Sequence, residues 1–242
     1  NNNKTAVREV LEKAAKVIFV SKALMKDACE KLGYDKYNGV VIPNGVDTEL
    51  FKPMDKETAR KNMGLPIDRK IVGFVGNLIE VKGADRLPAI ARELMKLRSD
   101  VFFLIVGDGP LMKMLRERMP VNTVFLGSID HYLIPIAMNS IDILVVPSRN
   151  EGQGVVILEA RACGVKVAGS ETGGIPETIE EDGIIVGGKS TELEASMAVA
   201  VANLIDESDK RVSLENFARK WSWQKTVEHE VEIYQQLMKG YK

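Results

Sequence analysis

Residues 142–169 read DILVVPSRNEGQGVVILEARACGVKVAG and contain a complete strand–helix–strand unit. The apolar run 142–147 predicts a buried strand, and a helical pattern over 154–163 leads into a second apolar run at 165–169. Parallel strands need a crossover connection, which is usually a helix. This stretch therefore predicts an α/β fold with a parallel sheet.

The same alternation extends along the chain on both sides of this unit. It predicts strands at 71–76, 101–107, 123–127 and 183–187, and helices at 84–98, 111–119, 131–139, 175–180, 191–206, 209–219 and 223–239. Six short apolar strands joined by helices predict a doubly wound, Rossmann-like sheet. Such sheets bind ligands beyond the carboxyl ends of their strands.

A shorter α/β unit comes first in the chain. The sequence predicts a helix at 7–15, a strand at 17–20, a helix that Ser21 caps and that ends near Gly33, and a strand at 40–42. Residues 46–70 are polar and irregular apart from a helix at 55–63. We interpret them as a linker that opens a new domain.

Composition narrows the classes of function. The chain has 242 residues, with 33 Lys and Arg against 34 Asp and Glu, so its net charge is −1. A balanced charge argues against nucleic acid as a partner. No apolar run approaches the roughly 20 residues of a membrane span.

Cysteine and histidine are scarce. Cys29 and Cys163 are too few for a disulfide framework and lack zinc-site spacing, so a reducing, cytoplasmic setting is the simplest interpretation. His131 and His229 are the only histidines, which excludes a histidine-rich metal site. No Asp-x-Asp motif is present to hold a divalent ion.

The turn after the strand at 71–76 reads GNLIEVKG, from Gly76 to Gly83. Glycines at a strand-to-helix turn let the backbone approach a ligand closely, and the next helix start favours phosphate. Lys82 adds a positive charge. An ordinary turn with a solvated lysine is the alternative.

The loop and helix start at 147–160 are the richest candidate site. Glu151 precedes the helix, Glu159 lies in its second turn, and the amides of Gly154, Val155 and Val156 lie between them. Amides at a helix start favour an anion, and carboxylates suit sugar hydroxyls. The pattern predicts a nucleotide-sugar site. The alternative is that both glutamates only complement the helix dipole.

Two further glycine turns follow strands. Gly107-Asp108-Gly109-Pro110 lacks the third glycine of a dinucleotide fingerprint, so dehydrogenase chemistry has little support. Gly173-Gly174-Ile175-Pro176-Glu177 places another helix start at the same edge, where it could line the same crevice.

Together these motifs resemble the C-terminal, donor-binding half of GT-B glycosyltransferases, specifically the large retaining family 4. The segments that carry the resemblance are IPNGVDTELFKP (42–53), GNLIEVKGADRL (76–87), VGDGPLMKML (106–115), PSRNEGQGVVILEARACGVKV (147–167) and GGIPE (173–177). The ending, 221–237, is similar to the family's closing helix, which typically packs back on the N-terminal domain.

The resemblance assigns roles to individual residues. Glu151 is the candidate catalytic residue, since it matches the glutamate that contacts the transferred sugar near the reacting carbon. Lys82 matches the lysine on the donor diphosphate, and Glu159 matches the glutamate on the ribose hydroxyls. The other implied donor contacts are Asn77, the backbone of Ser128 and Ile129 around the base, and Gly152, Gln153, Gly154 and Val155 around sugar and phosphate.

Three positions depart from the family pattern. Asn77 stands where arginine is usual, so one cation on the diphosphate is missing, and a neutral hydrogen bond is roughly half as strong as a charge-assisted one. Gln153 replaces a common aromatic, which implies a more polar sugar subsite. Lys166 replaces a common proline.

The resemblance implies retaining transfer of a hexose from a UDP-, GDP- or ADP-hexose to an acceptor hydroxyl, without a cofactor or metal. It divides the chain into 1–45, a remnant of the N-terminal domain with the crossover; 46–222, the nucleotide-sugar-binding domain; and 223–242, a C-terminal crossover helix. Full members have about 130–170 further N-terminal residues, one domain's worth.

That further domain would bind the acceptor, whether a glycan, a lipid or a small molecule, and would carry any peripheral membrane association. The expectation is therefore that this chain binds donor in the cytoplasm but is inactive alone. Two alternatives stay open: a non-catalytic module that binds a nucleotide or a partner, and another GT-B enzyme such as a sugar-nucleotide epimerase or a phosphorylase.

Overall fold

The strands form two parallel sheets in a computed structural model that describes residues 2–180, 183–188, 190–207 and 214–240. The strands are β1 (Val17–Phe19), β2 (Gly39–Val41), β3 (Lys70–Val75), β4 (Val101–Val106), β5 (Thr123–Gly127), β6 (Ile143–Val146), β7 (Lys166–Ser170) and β8 (Gly183–Val186). The first two form a small sheet of their own, and the other six form the main sheet.

Helices connect these strands throughout. They are α1 (Asn2–Lys13), α2 (Lys22–Leu32), α3 (Lys56–Met63), α4 (Leu87–Leu97), α5 (Met112–Arg118), α6 (Ile134–Ser140), α7 (Val155–Ala162), α8 (Ile175–Ile179), α9 (Ser190–Asp206), α10 (Leu214–Trp221) and α11 (Trp223–Gly240). Single turns of 3₁₀ helix occur at Lys36–Asn38, Glu80–Lys82, Ala84–Arg86 and His131–Leu133. Part of the helix predicted at 209–219 lies outside the described residues.

The main sheet has the strand order β5-β4-β3-β6-β7-β8, with every neighbouring pair parallel. The chain enters at β3, moves outward to β5, and then crosses to β6 on the other side of β3. Connections therefore diverge between β3 and β6, and a crevice forms at the carboxyl ends of these two strands. The predicted doubly wound, Rossmann-like sheet is confirmed.

Strand β6 illustrates how the sheet is covered on both faces. Ile143 and Val145 point into the core beneath α4 and α9, while Leu144 and Val146 point into the core beneath α6, α7 and α8. Side chains alternate between faces along a strand, so a continuous apolar run is needed where both faces are buried. This is why the apolar runs mark the strands so well.

The N-terminal unit matches its sequence signals in part. The Ser21 side chain accepts a hydrogen bond from Leu24 N–H and caps α2, and Gly33 ends that helix in a left-handed conformation with φ of 67°. The prediction of a first helix at 7–15 was wrong at both ends, because α1 runs from Asn2 to Lys13. The predicted domain boundaries after residues 45 and 222 remain a prediction. The residues next to these boundaries, Val46 and Ser222, pair in an isolated parallel bridge.

The interpretation of 46–70 as a linker is wrong. Phe51 and Leu65 are buried in the main core. The Asn139 side chain accepts from Met54 N–H (2.7 Å) and donates to the Lys52 carbonyl (3.0 Å). The stretch therefore packs on the main core and its backbone bonds to α6, which its polar composition does not indicate.

Arg60, on α3, is the buried polar centre of this stretch. Its guanidinium pairs with Asp142 (2.6 Å) and donates to the carbonyls of Ser140, Ile67 and Arg69 at 2.9–3.0 Å. Asp142 also accepts from Ile71 N–H (2.7 Å), which ties α3 to the start of β6 and to β3.

The last helix carries an exposed apolar stripe. Trp223, Val227, Val231, Tyr234 and Met238 are all largely exposed and recur every three or four residues along α11. Trp223 is exposed at the start of this helix, whereas Trp221, two residues earlier, is buried in the main core. Among the helices of the described residues, none combines the length and the apolar character that crossing a bilayer requires.

Replacing Arg60 should test the link between α3 and the sheet. Arg60→Ala leaves three carbonyls without this donor and removes the buried cation beside Asp142, which keeps Ile71 N–H and the half-exposed Lys56 as partners, so the free energy of unfolding should fall by about 3 kcal/mol. The neighbouring Lys61 is exposed and pairs with Glu57 in the preceding turn. Lys61→Ala is the matched control and should leave stability nearly unchanged, since an exposed ion pair contributes little. Urea unfolding measures both, and equal losses would contradict the buried role.

Candidate functional site

A cavity of about 470 Å³ opens where β3 and β6 diverge. Its walls are the carboxyl ends of these strands, the loop 151–154 and the first turn of α7. Asn77 and Lys82 line it from the loop after β3. Val20 and Asn44 line it from the N-terminal unit, so two parts of the chain that are distant in sequence enclose one site.

The start of α7 opens into this cavity without a side-chain cap. Gly154 precedes the helix with φ of 85°, a left-handed conformation that favours glycine. Val155 and Val156 form the first turn and line the cavity. Uncapped N–H groups and the positive end of the helix dipole make this surface suited to an anion such as phosphate.

Lys82 and Glu151 form an ion pair inside the cavity, with 2.6 Å between Lys82 Nζ and Glu151 Oε2. Glu151 is the more buried partner, with 11% of its side chain exposed against 35% for Lys82. Among the described residues that line the cavity, these two are the charged ones. A ligand phosphate would therefore meet a lysine that already has an anionic partner.

The backbone of the loop 151–154 is held by the glycines after β7. Gly174 N–H donates to the Glu151 carbonyl (3.1 Å). A Cβ at Gly173 would overlap that same carbonyl, so only glycine allows this approach. The predicted Gly-Gly-Ile-Pro-Glu motif thus supports the loop and is not part of the cavity lining.

The Gln153 side chain is buried and bonds to backbone. Its Oε1 accepts from Asn44 N–H (2.8 Å), and its Nε2 donates to the Asn44 carbonyl (3.1 Å). Its backbone lies in the loop that lines the cavity. The side-chain amide is therefore committed to the turn at Pro43-Asn44-Gly45.

Glu159 lies one turn inside α7 and is partly buried. Burial raises the pKa of this carboxyl above its ordinary value, and the nearby His131 opposes that shift. Within the described part of the chain, no residue donates a hydrogen bond to the Glu159 carboxylate or forms an ion pair with it. A desolvated carboxylate without a partner is unfavourable for folding, and such groups cluster at functional sites.

Ser128 and Ile129 follow β5, in the same loop as His131. Ser128 is exposed, and Ile129 packs against the main core. Since Glu159 interacts electrostatically with His131, this loop and that face of α7 lie side by side. They lie outside the cavity lining.

The predicted site residues thus fall into two groups. Those that line the cavity are Asn77, Lys82, Glu151, Gly152, Gln153, Gly154 and Val155. Those that do not are Ser128, Ile129 and Glu159. Sequence analysis missed Val20 and Asn44 as lining residues. The turn signal at Asn44 was visible, but nothing in the sequence places that turn beside Gln153.

Metal-ligating and nucleophilic side chains contribute little here. The described residues contain no group of three or more His, Cys, Asp or Glu side chains arranged to hold a metal ion. Burial, with a smaller contribution from Glu159, raises the pKa of the Cys163 thiol to about 12. This cysteine therefore carries no thiolate at neutral pH.

Comparison with known families agrees with this geometry. A family model described as glycosyl transferases group 1 matches residues 55–221. The chain belongs to this family. Its match covers the main sheet from α3 to α10, including the whole cavity loop. The resemblance to the C-terminal domain of family 4 GT-B glycosyltransferases is confirmed.

Relatives within the family are moderately similar. D-inositol 3-phosphate glycosyltransferase of Segniliparus rotundus is 28% identical over 215 residues, which cover 83% of this chain and 47% of the relative. A GDP-mannose-dependent monoacylated alpha-(1-6)-phosphatidylinositol monomannoside mannosyltransferase of Corynebacterium glutamicum is 30% identical over 202 residues, covering 76% and 52%. The chain spans about half the length of these curated relatives.

Solved structures share the fold. The Anabaena HepE protein in complex with UDP and glucose superposes with a TM-score of 0.84 at 22% identity, covering 97% of this chain and 67% of that one. Sucrose-phosphate synthase of Thermosynechococcus elongatus gives a TM-score of 0.82 at 24% identity, covering 99% and 62%. Both comparisons support the Rossmann-like fold.

Glu159→Gln should stabilise the protein at neutral pH. A carboxyl whose pKa is raised on folding binds its proton more tightly when folded, so its ionised form destabilises the folded state above that pKa. The glutamine variant should have the higher free energy of unfolding at about pH 7, and the difference should disappear as the pH falls below the ordinary glutamate pKa.

Urea unfolding across this pH range provides the measurement. Glu117→Gln, which changes an exposed carboxylate on α5, is the control and should show no comparable gain. A loss of stability in Glu159→Gln at neutral pH would mean that the carboxylate has a stabilising partner.

Proposed function

We propose that this chain is the donor-binding part of a retaining hexosyltransferase and that a nucleoside diphosphate sugar binds in the cavity between β3 and β6. The observation that carries the proposal is the convergence of the uncapped α7 start and Lys82 on one cavity at the strand ends. Helix-start amides and a lysine together suit a diphosphate.

Each end of the donor has a candidate partner. The diphosphate would bind the amides of Val155 and Val156 with Lys82, and the sugar would lie against Glu151. The ribose hydroxyls would be bound by Glu159, whose unpaired carboxylate needs hydrogen-bond donors. The loop at Ser128 and Ile129 would hold the base through its backbone.

The proposed chemistry is electrostatic. Breaking the bond between the sugar and the diphosphate leaves negative charge on the leaving group. Lys82, Asn77 and the helix-start amides would stabilise this charge without a metal or other cofactor. Glu151 is proposed as the residue beside the reacting carbon. The acceptor oxygen would form its bond to that carbon as the bond to the diphosphate breaks, and the hydroxyl proton would pass to the leaving diphosphate.

The binding site for the acceptor is proposed to lie outside this chain. The relatives are about twice as long, and the apolar stripe on α11 is suited to packing against a further domain. We infer that the acceptor, whether a glycan, a lipid or a small molecule, binds in that further domain, and that the present chain alone binds donor without turnover. The mannosyltransferase relative uses GDP-mannose and the HepE structure holds UDP, so both bases are candidates here, with ADP as a third.

Calorimetric titration with UDP, GDP and ADP, and with their glucose, mannose and N-acetylglucosamine esters, tests donor binding. We expect one nucleotide series to bind saturably without added metal. Failure of all three nucleotides would contradict donor binding by this chain.

Lys82→Ala should weaken binding of the preferred nucleotide by at least about tenfold, because a hydrogen bond to a charged group contributes about 1.5–3 kcal/mol. Lys113→Ala, an exposed lysine on α5, is the matched control and should leave affinity unchanged. Repeating Lys82→Ala in a Glu151→Gln background removes the ion pair from the comparison. Unchanged affinity in both backgrounds would contradict the assignment of Lys82.

A second candidate function is a nucleotide-binding module without turnover, and Asn77 favours it. In the described cavity lining Lys82 is the one cation, so a diphosphate would meet less positive charge than in a site with the usual arginine.

Activity of the full-length protein distinguishes the two candidates, and the affinity of Asn77→Arg tests whether position 77 faces the diphosphate. Asn77 is exposed at the cavity, which leaves room for the larger side chain. A charge-assisted hydrogen bond should tighten diphosphate binding by about 1 kcal/mol, or roughly fivefold. If the parent, full-length protein transfers sugar with Asn77 in place, the module without turnover is excluded. No gain in affinity would show that position 77 does not face the diphosphate.

A further inference from the structure

Side chains outside the proposed donor contacts join the N-terminal unit to the cavity loop. The Ser21 hydroxyl donates to the Gly152 carbonyl (2.6 Å) and accepts from Leu24 N–H (3.1 Å). Ser21 is buried, and it links the start of α2 to a residue 131 positions away. The same hydroxyl thus caps a helix and holds the loop.

Glu177 reinforces this junction from the other side. Its Oε1 accepts from Ala23 N–H (2.8 Å) and its Oε2 from Lys22 N–H (2.9 Å). A carboxylate on two amides at a helix start gains both charge-assisted hydrogen bonds and the helix dipole. We call the contacts of Ser21 and Glu177 with the start of α2 the α2 latch.

The Gln153–Asn44 contact holds the loop 151–154 at a second point. Thr178, the residue after Glu177, is buried and its hydroxyl lies 2.8 Å from the Gln153 carbonyl. The loop 151–154 therefore lies between the α2 latch at Gly152 and the Asn44 turn at Gln153. It contains no regular secondary structure of its own, so these contacts fix its path.

We propose that Glu177 is a positioning residue. By holding the start of α2 through its two amides, it fixes the loop 151–154 and couples the N-terminal unit to the cavity. Its effect on a ligand rests on the proposed donor binding, but its effect on the loop does not.

Amide hydrogen exchange tests the coupling without any ligand. Glu177→Ala should speed exchange at Lys22 and Ala23, which lose their acceptor, and also at Asn44, which Glu177 does not touch. Gln153→Ala removes the side chain that contacts Asn44, and it should speed exchange at Lys22 and Ala23 through the loop. Glu177→Gln keeps one acceptor and should give intermediate rates.

Binding of UDP, GDP or ADP, whichever the wild type prefers, tests the consequence. Glu177→Ala should raise the Kd by at least about fivefold, the lower end of typical coupling between sites, and ligand should slow exchange at Lys22 and Ala23 in the wild type. Glu30→Gln changes an exposed carboxylate on α2 that pairs with Lys26; it is the control and should change neither readout.

The outcomes separate the two proposals. If Glu177→Ala changes exchange only at Lys22 and Ala23, Glu177 is a local helix cap and the positioning role is overturned. If Kd is unchanged in a variant whose Asn44 exchange has risen, the loop does not govern ligand affinity, and the role is again overturned. If the wild type binds no nucleotide, the donor proposal fails, while the exchange at Asn44 still decides the coupling.

Discussion

Close contact between the backbones of three loops, at the carboxyl ends of the strands, determines the shape of the whole site. A Cβ at Gly83 would overlap the Pro147 carbonyl, and one at Gly173 would overlap the Glu151 carbonyl. The loop after β6 is therefore pressed between the loops after β3 and β7. This contact brings Lys82 and Glu151, which are 69 positions apart in the sequence, within hydrogen-bonding distance. The divergence of the chain between β3 and β6 provides the space that these loops enclose.

The two glutamates flanking the α7 start have different surroundings. Glu151 has a lysine partner in the cavity, whereas burial raises the pKa of Glu159 against the opposing effect of His131. Their spacing in the sequence does not distinguish their environments. The difference arises because Glu151 precedes the helix and faces the loop after β3. Glu159 lies within the helix, near the loop after β5.

The sequence was sufficient to predict the strands of the main sheet and the residues that form the cavity loop. Strand β5 occupies 123–127 as predicted, and α7 begins one residue after Gly154, because apolar runs and glycine turns are local signals. The stretch 46–70 was misjudged because the partners of Arg60 are backbone carbonyls and Asp142, which no local pattern reveals. The contacts of Gln153 with Asn44 and of Glu177 with α2 were equally invisible. They join segments that are more than one hundred residues apart and use side chains that are unremarkable in a sequence. Polar contacts between segments that are distant in the chain therefore could not be predicted from the sequence.

The Gln153 contact has a consequence for redesign of the sugar subsite. Both functional atoms of this amide are used on the backbone of Asn44, so position 153 and the turn 43–45 form one unit. An aromatic side chain at 153 would leave the N–H and carbonyl of Asn44 without partners in a partly buried position. Any attempt to engineer sugar specificity through this position must therefore rebuild the Pro43-Asn44-Gly45 turn at the same time, and libraries that vary residue 153 alone would sample mainly damaged turns.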